Sequence, residues 1–192
     1  LYEGSMLYNI RRNNYRDFKI ISDNRLKPRT YFIPFSKETD ARKATILNRR
    51  YVSDRVKCLN GEWDYVIKNT EDLPKHFLGK IIVPFSPEAP LSKVNRVLKP
   101  DEYLIYRRFF NLPNGFNKGR VFLHFTAVDQ SAKVYLNNHY LGEHIGGFLP
   151  FSFEIQEYLK AENELVVIVQ ESSRRMCVGH EGPMAQSPTK VE

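Results

Sequence analysis

The sequence predicts an all-β sandwich preceded by an irregular N-terminal arm, and three observations carry that reading. Apolar and polar residues alternate in successive short runs. Val121, Leu123 and Phe125 interleave with Phe122, His124 and Thr126; Val134 and Leu136 with Lys133 and Tyr135; Phe151, Phe153 and Ile155 with Ser152 and Glu154. A period of two sends alternate side chains to opposite faces, which is the mark of a strand. The aromatic content, 13 Phe, 11 Tyr and one Trp, suits two sheet faces filled by large side chains. Finally, 192 residues suffice for one sizeable core and are short for two domains.

In chain order, Leu1 to Ser5 read as a vector-derived remnant ahead of Met6. Residues 6–54 are polar and basic, with short apolar groups at Phe18–Ile21 and Tyr31–Phe35, and form an arm wrapping a core at residues 55–171. Within the arm, Asp40 to Asn48 has the makings of a brief helical turn. The Asn60-Gly61 turn leads into a strand in which Trp63, Tyr65 and Ile67 alternate. Residues 69–79 are a loop, and Ile81–Val83 is a short strand stopped by Pro84. Ser86–Pro100 holds three prolines and no period, so it is a long surface loop of the kind that carries binding function. In the next strand, Tyr103 to Leu112, Arg107 and Arg108 fall on opposite faces. One arginine is therefore expected to be partly buried against a carboxylate or backbone carbonyls.

Asn137-Asn138-His139 sits where a tight hairpin needs positive φ, which Asn tolerates best after Gly. Gly142, Gly146 and Gly147 permit sharp turns. A turn or short helix at Ile155–Leu159 precedes the last strand, where Leu165, Val167 and Val169 alternate. After Gln170 the alternation fails, and residues 172–192 form an irregular tail, through truncation or a change of reading frame. The sandwich is then expected to lack a strand, leaving an edge for the tail or for a second copy, hence a homodimer.

The net charge of +7 is uneven: the first 60 residues hold 14 Lys and Arg against 6 Asp and Glu, and the remainder is nearly neutral. No groove-reading motif and no basic face interleaved with exposed aromatics is identified, so a nucleic-acid partner is not expected. A solvated face, or one that docks on an acidic neighbour, accounts for the basicity. No apolar run approaches the length that crosses a bilayer, and no signal pattern opens the chain, so a membrane partner is not expected and a cytoplasmic location is. Cys58 and Cys177 are read as two unpaired thiols, and no metal-ligand spacing or cofactor motif occurs.

The hairpin Tyr135-Leu136-Asn137-Asn138-His139-Tyr140-Leu141-Gly142, following the Ala127-Val128-Asp129 turn, resembles a motif of glycoside hydrolase family 2, with Asn138 in place of the usual Gly. Arg29–Ser36, Arg49–Tyr65, Ile81–Pro113 and Ala161–Gln170 resemble further pieces, in order, of the N-terminal sugar-binding domain of that family, which includes β-galactosidases, β-glucuronidases and β-mannosidases. The resemblance covers about residues 25–171. It implies a jelly-roll β-sandwich of the galactose-binding-like type and a parent protein that is a retaining β-glycosidase. The two catalytic carboxyl groups of such enzymes lie about 5 Å apart. In the family they come from a following (β/α)₈ barrel of about 250 residues. The chain is therefore expected to be non-catalytic, to support the barrel and to shape its substrate pocket. Glu62, Asp64, Glu88, Asp101 and Glu102 have the spacing of solvated strand ends and loops.

Two other readings stand beside it. One is a free-standing carbohydrate-binding module, for which an aromatic-lined cleft within residues 81–150 would speak and the single Trp63, expected in the core, speaks against. The other is a purely structural or interaction module without sugar affinity. Sugar recognition needs an aromatic platform and planar polar groups. Glu88, Asn95 and Arg96 in the long loop, with His144 and Phe148 in the later turn, are the candidate ligand-binding residues. For His144 the alternative is a ring that hydrogen-bonds a neighbouring loop. By resemblance the Ser86–Pro100 loop is the first candidate contact with the terminal sugar. The region after Gln170 is the second, although Glu171-Ser172-Ser173-Arg174-Arg175 departs from the family's pattern there.

Overall fold

A computed structural model describes residues 22–30, 32–85, 94, 98–99, 101–116, 119–129, 131–147, 149–170 and 190–191. The strands are β1 (Ser22–Asp23), β2 (Gly61–Lys68), β3 (Gly79–Val83), β4 (Tyr103–Phe110), β5 (Phe122–Ala127), β6 (Ser131–Leu136), β7 (His139–Ile145), β8 (Phe151–Glu154), β9 (Asn163–Gln170) and β10 (Lys190–Val191). Seven form one sheet in the order β1-β7-β6-β9-β4-β2-β3, and three form a second in the order β10-β5-β8, with antiparallel pairing throughout. The protein is an all-β jelly-roll sandwich. Each strand found by alternation is present, because one face of each is buried.

Between the sheets, Trp63, Leu104, Tyr106, Val134, Leu136, Leu165 and Val167 meet Leu123, Phe125, Phe151 and Phe153. Phe125 stacks on Phe151 at 4.7 Å, and Phe153 meets Phe151 edge-on at 5.8 Å. Each such side chain contributes about 1.5–3 kcal/mol by leaving water. Trp63 is in this core and donates its indole N–H to the Leu59 carbonyl at 2.8 Å, which removes the cost of burying that donor.

The central strands of the large sheet are buried on both sides. Val66, Ile105, Val166 and Ile168 form a second cluster, covered by Leu73, Phe77, Tyr103 and Tyr135. The loop between β2 and β3 thus acts as a cover, tied down by Lys68–Asp72 and Lys133–Glu71 ion pairs. Both arginines of β4 are engaged, where one was expected. On the covered face, Arg107 reaches Asp64 at 2.8 Å and lies over the Phe77 ring at 3.9 Å. On the other face, Arg108 donates to the Glu62 carbonyl at 2.9 Å.

The hairpin between β6 and β7 has Asn137 at φ 53° and Asn138 at φ 69°, the left-handed pair that its residues foretell. A 3₁₀ turn spans Gln156–Tyr158. In the arm, helix forms at Glu38–Lys43 and again at Arg49–Val52, to either side of most of the stretch expected to be helical. An i,i+4 contact of Arg42 with Glu38 supports the first. Thr45 and Asn48 instead satisfy each other's backbone N–H groups, which makes the intervening residues a turn.

The arm joins the two sheets. β1 extends the large sheet beyond β7, while the Leu26 N–H donates to Ser152 of β8 at 2.9 Å. Asn24 adds a 2.7 Å bond from its amide to the Leu141 carbonyl. Gly142, at φ 155°, permits this approach: a Cβ there would run into the Asp23 carbonyl and stand 2.6 Å from the Phe153 ring. At the other end, β10 pairs with β5, so part of the C-terminal tail covers the edge that the sequence left open. No helix among the described residues is long and apolar enough to cross a membrane.

Candidate functional site

Of the five residues singled out for ligand contact, His144 lies among the described residues, and Glu88, Asn95, Arg96 and Phe148 lie outside them. His144 is on β7, whose alternation turns it into the sandwich, where it is 1% exposed. Its ring stacks on Phe151 at 4.3 Å, and Nε2 donates to the Gly146 carbonyl at 3.0 Å. Nδ1 has no hydrogen-bond partner. Burial holds the pKa below the ordinary 6.5, so the ring is neutral, with Nδ1 the bare nitrogen.

A cleft that sequence reasoning did not find opens between the arm and the small sheet, with a volume of about 1150 Å³. One wall is the arm, with Arg29, Phe32, Phe35, Arg55 and Lys57; the other carries Asn114, Phe116, Arg120, Phe122 and His124. Leu59, Phe110, Val121, Leu123 and Ile155 form an apolar base continuous with the core. The arm wall is fixed by Asp54, which accepts from the Ser36 backbone N–H at 3.0 Å and from its hydroxyl, and by Ser53, whose hydroxyl donates to the Pro34 carbonyl. The Ser36 hydrogen bonds hold the Asp54 carboxyl below its ordinary pKa.

The opposite wall gains its polar groups from period two. β5 turns Leu123 and Phe125 inward and therefore presents Phe122 and His124 outward. His124 Nδ1 lies 2.8 Å from the Ser152 hydroxyl. Arg120 makes a two-pronged contact with Glu154, at 2.8 and 2.9 Å, that lowers the carboxyl pKa and raises that of the guanidinium. Both Arg29, at 4.7 Å, and Arg120, at 4.9 Å, lie over the Phe122 ring.

Among the described lining residues the one carboxylate is Asp54, whereas retaining glycoside hydrolysis needs two. Nor do the described residues contain a cluster of three or more His, Cys, Asp or Glu side chains able to hold a metal ion.

The family model described as glycosyl hydrolases family 2, sugar binding domain, matches residues 90–183. The greater part of the sandwich is thus similar to a family 2 sugar-binding domain. That match takes in β4 to β9 and runs beyond Gln170, where the sequence pattern alone lost the family. Similar proteins include a β-galactosidase of Thermoanaerobacter pseudethanolicus, 33% identical over 121 residues, which are 60% of this chain and 16% of that protein. A β-glucuronidase of Formosa agariphila is 37% identical over 70 residues, 36% of this chain and 7% of the relative. Among solved structures, an uncultured Clostridium sp. β-glucuronidase is 27% identical with a TM-score of 0.50, over 59% of this chain and 22% of that one. The chain thus spans about a sixth of the first relative's length and less of the second. Its cleft is built jointly by residues inside the family match and by the arm before it.

Proposed function

We propose that this chain is the non-catalytic sugar-binding domain of a larger family 2 β-glycosidase, in which it supports the catalytic barrel and shapes the substrate pocket. The match of residues 90–183 to the family's sugar binding domain carries the reading. The engagement of the carboxylates supports it: Asp64 and Glu164 hold Arg107, Glu62 holds Lys80 and Glu154 holds Arg120, all structural uses rather than a catalytic pair. In this reading Glu88, Asn95, Arg96 and Phe148 face the sugar together with the turn beside His144. The free thiol of Cys58 accords with a reducing, cytoplasmic setting.

The chain alone is expected to leave p-nitrophenyl β-D-galactoside, β-D-glucuronide and β-D-mannoside unhydrolysed. Exchanged for the matching segment of the Thermoanaerobacter pseudethanolicus β-galactosidase, it is expected to preserve hydrolysis that deletion of the segment abolishes. Turnover by the isolated chain, or a chimera as inactive as the deletion, would overturn the reading.

Self-association is the second proposal, favoured by one observation. β3 ends the seven-stranded sheet, with Leu78 at 70% and Ile82 at 64% exposure beside it. Two such edges can pair into a homodimer.

A further inference from the structure

We propose that the cleft between the arm and the three-stranded sheet is a binding site for an acidic oligosaccharide whose sugars carry carboxylates. That the ligand is a sugar rests on the family reading; that it is acidic rests on the lining. Four cationic side chains, Arg29, Arg55, Lys57 and Arg120, line the cleft against the single carboxylate of Asp54. Arg120 is engaged by Glu154, and Arg55 leans on Asp54 at 3.9 Å. Arg29 and Lys57 have no carboxylate partner among the described residues.

Arg29 shares the Phe122 ring with the Arg120–Glu154 pair, so the guanidinium there that a bound anion would pair is that of Arg29. Guanidinium groups match carboxylates in shape as well as charge, offering two parallel N–H donors to two oxygens. Next to them Phe32 is 60% exposed and Phe116 half-buried, giving apolar faces for pyranose rings. An acidic peptide is the rival occupant, since it would meet the same charges. Peptides that bind sheets gain much of their affinity from a free strand edge. Here β5, the strand in the cleft wall, is paired with β8 from Phe122 to Phe125 and with β10 at Phe125 and Ala127, so among the described residues a free edge is confined to the three positions Phe122–His124, too short for an added strand. The exposed aromatic faces therefore favour the sugar.

The test is an amide-resolved NMR titration of the full chain with trigalacturonate, galactotriose and hexaglutamate. Trigalacturonate is expected to give saturable shifts in residues 32–36 and 120–124. The neutral trisaccharide should bind about tenfold more weakly, the loss of one hydrogen bond to a charged group. An Arg29→Ala, Lys57→Gln double variant should weaken trigalacturonate by a similar factor and leave galactotriose unchanged, and Phe32→Ala should weaken both sugars. All three side chains are exposed, so unchanged amide spectra of the free variants will certify their folds.

Equal affinity for the two trisaccharides, indifference to the double variant, absence of shifts, or preference for hexaglutamate would each overturn the proposal. None of these results touches the hydrolysis test of the chimera. A failed chimera beside a saturable trigalacturonate titration would remove the enzymatic context and leave the cleft standing.

Discussion

His144 brings a titratable ring into a sandwich core through a local bargain: one nitrogen donates to Gly146 two residues on, and the flat face stacks on Phe151. The bare Nδ1 can acquire a proton only by placing a charge in that core. Because the folded pKa is lowered, the unfolded chain binds the proton first. Stability is therefore at its full value above the ordinary pKa of 6.5 and declines as pH falls from there towards the folded pKa, by at most about 1.4 kcal/mol per pH unit. Urea unfolding between pH 8 and 5 should show this decline, and His144→Phe, which keeps the stacking and removes the titration, should flatten it. The sequence had left the ring open between ligand contact and a bond to a neighbouring loop, since alternation says which face a residue takes and nothing about what waits there.

At the scale of elements, the hairpin joining β6 and β7 is anchored from beneath. Asn137 donates to the Tyr158 carbonyl at 2.7 Å and to the Asn163 side chain at 3.0 Å, and accepts from the Glu164 N–H at 2.9 Å. Asn137→Ala strands those partners in the interior and should cost about 3 kcal/mol in chemical unfolding. Asn138→Gly, at an exposed left-handed position, should cost nothing or stabilise by a few tenths. Gly142 in the next strand answers to a different element, the arm. Gly142→Ala should lower stability by about 1–3 kcal/mol as Asp23 and Phe153 are pushed away. Thermal unfolding of the variant beside the parent chain checks this. Strands and the hairpin were legible because period and turn chemistry are local signals. The expected turn overlaps the first arm helix over residues 40–43, but its limits and the second helix were not legible because these helices bury no residue and no apolar face marks their ends.

For the whole molecule, the signal for the cleft was present in the sequence as the concentration of basic residues before Asn60, but not its location. Arg29 and Arg120 meet over Phe122 because the arm lies along the small sheet, and no pattern of short period encodes a contact between segments so far apart. The two-sided burial of β4 and β9 was hidden for a related reason: it depends on the loop with Leu73 and Phe77 folding back over them. The bond of Asn24 to Leu141 spans 117 positions of the chain. Closing so long a loop is entropically expensive until the intervening strands are in place. The arm is thus expected to dock last. Since it also forms one side of the cleft, the proposed binding there is expected to arise only when folding is complete, and to be lost on fraying of the first strand before the core opens.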